Sequence, residues 1–373
     1  MKKIGISIFC IVLYVLNIKA QESLLDNPVT LEKIKQCLSD TYNFSFREAG
    51  HLQQQLAASH PHHPAPDFLK GLIIYWENFP LTPAQLSSAN FVNSMDRAII
   101  KAERMTGDPA LYLEGTFFNL FGRAFKAMYW ADNGKMLKVL PDLRTMYANT
   151  IKGFDLKDDF VEFYFCTGLY NYYIEAFPEA YPIYKPIVSF MKRGNRELGL
   201  LQLSYAIKNS IYLKAESLLF MSLIQLNYEN DLSAASYYAL QLYNMYPKNS
   251  YYWGHSIIIL LHRGHFSEVN DLLQKRNIRN DPFRLMIEQL ATAFIEEYTA
   301  GRLEIALSLY NQGLEIADGY GNFGNLYKAM AYAGLSRIAG RENDENLRMK
   351  YLRLAESHTG YKYITSGLQD TSW

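Results

Sequence analysis

The stretch Asn230-Asp231-Leu232-Ser233-Ala234-Ala235 gives the clearest indication of how this chain folds. It opens an apolar segment that runs through Tyr238 and Leu242 and stops at Tyr246-Pro247. Apolar side chains at helical spacing between turn-forming residues indicate a helix, and Pro247 cannot continue it because proline lacks the backbone N–H. The sequence therefore predicts a helix here, with the small residue Ala235 where a second helix can cross closely.

The same order of features recurs downstream. A helix at 252–262 is followed by a turn at Gly264 and a new helix start at 265–269. A third copy has its first helix at 287–298 and its turn at Gly301, and a fourth places helices at 326–332 and 346–357 with Gly340 at the turn. Such units stack because each buries its apolar face only against a neighbour, so about three are needed for stability.

These units resemble the tetratricopeptide repeat family. Ala235 stands where that family places a small residue, Pro247 stands where a unit ends, and Trp253 is the fourth residue of the next unit, where the family prefers Trp. Val269 departs from the family's usual Ala, which would loosen the contact between its two helices. The resemblance implies an all-α fold, a right-handed superhelical solenoid of antiparallel helix pairs that acts by binding partners.

Upstream the repeat is weaker, but helical pairs are still predicted at 112–130 with 135–150 and at 159–176 with 196–210. A second resemblance rests on Gly168-Leu169-Tyr170-Asn171-Tyr172-Tyr173, Phe177-Pro178 and Gly194-Asn195-Arg196-Glu197-Leu198-Gly199. It is to the inclusion body clearance family of tetratricopeptide-like proteins, where an aromatic helix ends at Pro and a Gly-x-Arg-Glu-x-Gly segment opens the next. That family also works through partner binding. The predicted organisation is a signal peptide (1–20), an N-terminal helical segment (21–110), divergent helix pairs (111–210), repeats (211–358) and a C-terminal tail (359–373).

The N-terminus has the features of a signal peptide. Met1-Lys2-Lys3 precedes an apolar run to Leu16, and Ile18-Lys19-Ala20 resembles a cleavage site, so we expect cleavage after Ala20. An uncleaved membrane anchor is the alternative, but the run is shorter than the ~20 residues that span a bilayer. A short leader that starts with lysines is typical of bacteria, which predicts a periplasmic or secreted protein. No later segment of the sequence is long and apolar enough to be a transmembrane helix.

Composition argues against several classes of function. The 373 residues include 37 basic and 37 acidic side chains, without a dense basic run, whereas a nucleic-acid binder needs a basic excess. The glycine-rich segment 319–324 follows a predicted helix and lacks the strand that a nucleotide-binding loop requires, so it is interpreted as a connection between helices. Cys37 and Cys166, the cysteines after the leader, are too few for a disulfide framework. We predict no cofactor and no nucleic-acid partner.

Histidines and acidic pairs are the remaining candidates for chemistry. His60, His62 and His63 could hold a metal ion, but Pro61 and Pro64 predict a solvated, stiff loop that spreads the rings apart. His255 and His262 share one helix face and could bind a ligand, although surface histidines are the simpler interpretation. Acidic pairs such as Asp158-Asp159 and Glu296-Glu297 are explained by solvation and the dipoles of helix ends. The sequence thus favours a non-enzymatic protein without a metal site.

Aromatic residues are the most promising feature. The chain has 29 tyrosines, which are dense at 170–184 and 237–253. Most should fill the core, but about a third could lie in a concave groove, where Tyr and Trp are rigid anchors for a partner. The candidate partner-binding residues are Tyr170, Asn171, Tyr173, Arg196, Lys214, Gln225, Asn227 and Trp253. We predict an exported, non-enzymatic scaffold that binds a protein or peptide in the cell envelope. A glycan-associated binding protein using exposed Tyr and Trp is the alternative, and an enzyme on a helical-repeat scaffold comes third.

Overall fold

The structure, a computed structural model, describes residues 23–24, 27–275 and 278–367. The predicted signal peptide and the last residues of the tail lie outside the described residues. Within the described ranges the chain forms α-helices and no β-strand, which confirms the predicted all-α class. The helices are α1 Pro28–Tyr42, α2 Phe46–Ser59, α3 Ala65–Glu77, α4 Ser87–Met105, α5 Tyr112–Asp132, α6 Leu140–Leu156, α7 Phe163–Ala180, α8 Lys185–Val188, α9 Arg196–Asn209, α10 Lys214–Ile224, α11 Leu232–Met245, α12 Ser250–His262, α13 Phe266–Leu273, α14 Pro282–Ile295, α15 Leu303–Asp318, α16 Asn325–Arg341, α17 Glu345–His358 and α18 Lys362–Ser366.

Helices that follow one another in the chain pack as neighbouring pairs. The pair α7 and α9 shows how the sequence allows this. A Cβ atom on Gly199 would lie 2.7 Å from the backbone nitrogen of Tyr172 and 2.8 Å from the carbonyl oxygen of Gly168. Because only glycine fits at so short a distance, the second glycine of the Gly-x-Arg-Glu-x-Gly segment brings the two helix backbones into direct contact.

The helix predicted after Asn230 is confirmed as α11. The carboxylate of Asp231 accepts a hydrogen bond from the backbone N–H of Ala234 at 2.9 Å, which caps the first turn. The helix ends at Met245, just before Tyr246-Pro247, and Ala235 is fully buried. Asn249 caps the following helix, α12, in the same way by accepting from the N–H groups of Tyr251 and Tyr252.

The turns inside four consecutive pairs each contain one residue with a positive φ. These residues are Asn230 at 54°, Gly264 at 74°, Gly301 at 62° and Asn343 at 62°. The prediction that Gly340 forms the last turn is wrong, since Gly340 lies inside α16 and Asn343 takes the left-handed conformation instead. Asparagine tolerates this region because its short side chain can hydrogen-bond to the local backbone.

Two of these turns follow a stretch of π-helix. The helix α10 continues as a π-helical turn at Gln225–Glu229, and α14 continues as one at Glu296–Ala300. A π-turn closes i→i+5 hydrogen bonds and accommodates one more residue than an α-turn, so it redirects the side chains that it carries. Each π-turn ends at one of the residues with positive φ, Asn230 or Gly301.

The N-terminal helices pack against the middle and the C-terminal part of the chain. The ring of Trp76 in α3 lies 5.4 Å from that of Tyr252 in α12, and Phe79 lies 5.3 Å from Phe283 in α14. The side chain of Asn249 donates to the carbonyl oxygen of Tyr42 at the end of α1. Helices α1 and α3 therefore share one aromatic core with α12 and α14. No helix within the described ranges has the length and apolar character needed to cross a bilayer.

Candidate partner-binding surface

Four tyrosines from three distant parts of the chain come together at one surface. They are Tyr173 in α7, Tyr181 just after α7, Tyr228 in the π-turn after α10, and Tyr361 just before α18. The rings of Tyr173 and Tyr228 lie 5.3 Å apart. Burial raises the pKa of Tyr228 to about 12, with further contributions from the nearby hydroxyls of Tyr361 and Tyr181. We call this group of four residues the tyrosine face.

Local structure on both sides explains why these side chains meet. The π-turn at Gln225–Glu229 closes with a hydrogen bond from the N–H of Asp231 to the carbonyl oxygen of Gln225 at 2.9 Å, and its wider turn redirects Tyr228 toward α7. Past the end of α7, Tyr181 stays against the helix because its ring packs on Phe177 at 4.9 Å. The tyrosine face is thus formed by the C-terminal ends of α10 and α7: the π-turn after α10 places Tyr228, and the packing on Phe177 places Tyr181.

The hydroxyl groups of the tyrosine face are free to bind a ligand. Among the described residues none of the four hydroxyls has a hydrogen-bond partner, and none is among the unpaired polar atoms sealed from solvent. Tyr181 and Tyr361 are exposed, whereas Tyr173 and Tyr228 are half-buried. Burial and neighbouring phenols raise the pKa values of Tyr173, Tyr228 and Tyr361, so these groups stay protonated at neutral pH. Such phenols donate and accept hydrogen bonds, but they do not act as bases.

An ion pair holds the π-turn beside this surface. Glu229 accepts hydrogen bonds from Arg196 Nε at 2.9 Å and from the hydroxyl of Tyr172, and the guanidinium of Arg196 lies 5.4 Å from the Tyr172 ring. Arg196 also pairs with Glu179 at 3.3 Å. Because these contacts join α7, α9 and the π-turn, they fix the position of Tyr228. We call Arg196, Glu229 and Tyr172 the outer clamp.

The structure brings some of the predicted binding residues to this surface. Tyr173 belongs to the tyrosine face, Arg196 belongs to the outer clamp, and Gln225 and Asn227 lie in the π-turn with Tyr228. The Asn227 side-chain oxygen is sealed from solvent and has no hydrogen-bond partner. These residues come from two stretches of sequence, and α9 and the π-turn meet through Arg196.

The other predicted residues lie elsewhere. Tyr170 donates to the carbonyl oxygen of Lys192 at 2.7 Å, and Asn171 is buried and donates to Gln202 at 2.8 Å. Lys214 lies at the start of α10, beside a cleft formed with α1. Trp253 is fully buried, and its indole N–H donates to the carbonyl oxygen of Leu272. Trp253 therefore stabilises the pair α12 and α13 and is not available to a partner in this structure.

Sequence reasoning missed Tyr228 and Tyr361 and did not select Tyr181. Tyr181 lies in the aromatic run at 170–184, so the density of aromatic residues there could have identified it as a candidate binding residue. Tyr361 lies in the segment assigned to the tail, and no local pattern connects it with Tyr228. Only the packing of α18 against α16 and α17 carries it to this site.

Of the histidines predicted to be solvated, His63 and His262 are buried, His60 and His255 are half-buried, and His62 is exposed. His63 lies 2.6 Å from Glu114 inside the protein, and burial lowers its pKa, so the prediction of a fully solvated loop is wrong for this residue. His262 is fully buried and His255 is half-buried against Ser222, with pKa values lowered by burial to about 4. His262 is therefore not a surface histidine, because Phe294 and Tyr363 pack against its ring. In the described part of the chain no group of three His, Cys, Asp or Glu residues is placed to hold a metal ion.

The prediction that both members of the acidic pair Glu296-Glu297 are solvated is also wrong for one of them. Glu296 binds Arg302 at the surface, as solvation would explain. Glu297 is buried and accepts two hydrogen bonds from Arg337, at 2.8 and 2.9 Å, and one from the hydroxyl of Tyr310 at 2.8 Å. We call Arg337, Glu297 and Tyr310 the inner clamp. The segment at 319–324, in contrast, is the predicted connection between α15 and α16.

Comparisons with known proteins do not narrow the function. No protein-family model matches the chain, and a search of curated proteins found no match. The free hydroxyls and half-buried rings of the tyrosine face are therefore the main basis for a functional hypothesis.

Proposed function

We propose that this protein is an exported, non-enzymatic scaffold of the tetratricopeptide type that binds a protein or peptide segment through the tyrosine face. The observation that carries the proposal is the meeting of four tyrosine hydroxyls without hydrogen-bond partners among the described residues. Phenol rings lose little conformational entropy on binding and offer both an apolar face and a hydrogen bond. In this proposal the helix pairs form a right-handed superhelical solenoid, and the N-terminal helices pack against its first helices.

A peptide suits this surface better than a sugar. The rings of Tyr173 and Tyr228 meet at 77°, and those of Tyr172 and Tyr173 meet at 90°. Sugar rings stack best on flat, exposed platforms, whereas an edge-to-face group forms a pocket for one side chain. Its hydroxyls can then pair with the amides and carbonyls of a peptide backbone. The glycan-binding alternative retains support only from the abundance of aromatic residues.

The test uses the chain without residues 1–20 on a peptide array and on a glycan array. The double variant Tyr181→Ala/Tyr361→Ala removes the two exposed members of the face, and Tyr205→Ala/Tyr237→Ala removes two exposed tyrosines elsewhere as the matched control. We expect peptide binding that the first variant weakens by about tenfold or more, as for anchor residues at interfaces, and that the control leaves unchanged. No peptide binding, or equal loss in both variants, would exclude the proposal, and binding to glycans alone would favour the alternative.

Export is tested separately by expressing the complete chain in a bacterium. We expect the envelope fraction to contain a product that begins at Gln21 by N-terminal sequencing. A full-length product retained in the membrane would contradict cleavage and indicate an N-terminal anchor. Turnover of a small substrate by the purified protein would contradict the non-enzymatic part of the proposal.

A further inference from the structure

A group of apolar side chains protrudes into solvent from two segments of the chain. The first segment is the single helical turn Met136–Lys138 with the start of α6, and the second is the connection from α7 to α9. Leu137 and Ile183 are 81% exposed, and Phe190 is 92% exposed. Together the protruding residues form what we call the apolar ridge: Met136, Leu137, Leu140, Ile183, Ile187 and Phe190.

The second segment begins at the same end of the helix layer as the first segment and then runs back along α6. Because α7 follows α6 after a short turn and packs along it, the end of α7 comes back beside the start of α6. The connection after α7 then returns to α6, where the N–H of Lys192 donates to the hydroxyl of Tyr147 and its ammonium lies 3.7 Å from the centre of the Phe154 ring. These contacts tie both parts of the apolar ridge to α6.

The exposed charges within the two segments of the apolar ridge and the first part of α6 are positive, whereas exposed acidic residues, Asp155 and Glu179, lie just outside them. In residues 135–152 and 181–193 every exposed charged side chain is basic: Lys135, Lys138, Arg144, Lys152, Lys185, Lys192 and Arg193. The one acidic residue in these ranges, Asp142, is buried and paired with Arg123 and with Lys126, the latter at 3.1 Å. The chain as a whole is balanced, with 37 residues of each sign, so this concentration of positive charge is local.

We infer that the apolar ridge is a site for peripheral binding to an anionic lipid bilayer. Side chains that protrude almost completely do not form the flat, closely packed surface of a protein–protein interface, but they can insert between lipid headgroups. Basic side chains beside them attract anionic lipids, while the apolar ones enter the boundary of the acyl chains. The apolar ridge contains none of the four tyrosines of the tyrosine face, but Tyr181 lies only two residues before Ile183. Vesicle binding and peptide binding are therefore measured separately for each variant, so that one proposal can fail without the other.

The experiment measures binding of the chain without residues 1–20 to vesicles by co-sedimentation. One vesicle preparation is phosphatidylcholine alone, and the other also contains phosphatidylglycerol. The variant Leu137→Glu/Phe190→Glu is compared with Ile305→Glu/Leu307→Glu, which makes the same change in charge at two exposed apolar positions of α15. All four residues are exposed, so we expect both variants to fold, and circular dichroism checks this.

The expected result is binding to the anionic vesicles that weakens with added salt and is much weaker on phosphatidylcholine alone. The variant of the apolar ridge should lower the partition coefficient by about tenfold or more, because each change removes the burial of one large apolar side chain. The α15 variant should change it by less than about twofold, as expected for charge alone at a distant surface. Both variants should retain any binding to the peptide array.

Four results would overturn the inference. The first is no binding to anionic vesicles at low salt, and the second is equal loss of binding in both variants. The third is a solution dimer without vesicle binding that only Leu137→Glu/Phe190→Glu dissociates, which would assign the apolar ridge to a second copy of the chain. Loss of peptide binding in that variant, without vesicle binding by the unchanged protein, would assign the ridge to a protein partner and would also overturn it.

Discussion

The outer clamp and the inner clamp contain the same three residue types in different surroundings. In each, a glutamate in a π-turn accepts hydrogen bonds from the side chains of an arginine and a tyrosine: Glu229 is the last residue of its turn, and Glu297, which also pairs with Arg341 at 3.5 Å, is the second of its own. The Glu229 side chain is 25% exposed, whereas that of Glu297 is fully buried. The same three residue types thus stabilise the core in the inner clamp and support a surface in the outer clamp. The two roles differ because the glutamate is buried in one clamp and partly exposed in the other.

The energetic difference follows from solvation. A buried charge that loses its partner stays uncompensated, which costs about 3–5 kcal/mol, whereas an exposed ion pair contributes about 0–1 kcal/mol. Nearby Tyr310 and Glu297 raise the pKa of Arg337 in spite of its burial, so it remains charged. Substitutions in the inner clamp should therefore lower the free energy of unfolding strongly, and substitutions in the outer clamp should lower it little.

Removal of the cation from the inner clamp should have the largest effect. We expect Arg337→Met to lower the free energy of unfolding by up to about 3–5 kcal/mol at neutral pH, because buried Glu297 would lose both hydrogen bonds from Arg337 and keep only the longer ion pair with Arg341 at 3.5 Å. Urea denaturation followed by circular dichroism measures this. The double variant Arg337→Met/Glu297→Gln should recover part of the loss, and a loss below about 1 kcal/mol in the single variant would mean that Glu297 is more hydrated than its burial indicates.

Glu216 sharpens the comparison because it is a buried carboxyl group whose hydrogen-bond partner is a hydroxyl, that of Tyr42. Burial raises its pKa from 4.5 to about 7. In the unfolded chain the group ionises near 4.5, so the folded state binds more protons between these values and stability falls as the pH rises through them. The full loss from this group is about 3 kcal/mol above pH 7.

We therefore expect the variant Glu216→Gln to flatten the decline in stability between pH 5 and 8, as measured by urea denaturation at a series of pH values. Buried Glu162, whose pKa is also raised to about 7 by burial, stays in the variant and leaves a remaining slope. An unchanged pH profile would show that Glu216 ionises at its ordinary pKa.

The outer clamp gives the next effect, on binding more than on stability. Arg196→Met should change the free energy of unfolding by about 1 kcal/mol or less, since the pair is partly exposed. It should weaken peptide binding several-fold, because the bond from Arg196 to Glu229 holds the π-turn that positions Tyr228. The control is Arg47→Met, which breaks the exposed pair with Glu48. Equal binding by Arg196→Met and the unchanged protein would separate the outer clamp from the binding site.

Removal of the Tyr228 hydroxyl group should give the smallest effect, and Tyr310→Phe is the comparison for it. Tyr228→Phe should leave the free energy of unfolding within about 0.5 kcal/mol, because its hydroxyl has no partner among the described residues. Tyr310→Phe should lower the free energy of unfolding by about 1–3 kcal/mol, since it removes the hydrogen bond that the Tyr310 hydroxyl donates to buried Glu297. Thermal or urea unfolding distinguishes the two. A loss in Tyr228→Phe as large as in Tyr310→Phe would contradict the free state of the Tyr228 hydroxyl.

Local features of the structure were readable from the sequence, and contacts between distant residues were not. Asp231, Ala235 and Pro247 predicted the bounds of α11 because capping, close packing and helix ending act over a few residues. The turn assigned to Gly340 forms at Asn343, since both residue types can adopt a positive φ. Periodicity predicted which segments are helices, but it did not show which helix faces meet across the molecule.

The candidate site was predicted only in part for the same reason. Tyr173 and Arg196 were selected from a local aromatic and charged pattern, and both lie at or beside the tyrosine face. Tyr361 reaches it from more than a hundred residues away, and Trp253 is buried because α13 covers it. Glu297 shows that an acidic pair at a helix end can have one solvated and one buried member.

The hydrogen bond from Asn249 to the carbonyl oxygen of Tyr42 has a consequence for the order of folding. The two residues are separated by 207 positions, and the backbone N–H of the neighbouring Lys248 donates to the side-chain oxygen of Asn43 at 3.1 Å. During synthesis α1 emerges first, yet it completes its contacts only after α12 has formed. Closing so long a loop carries an entropic cost and slows folding, so a chain truncated before Asn249 should keep the packing of α1 on α2 and α3 but lose the contacts that fix its C-terminal end.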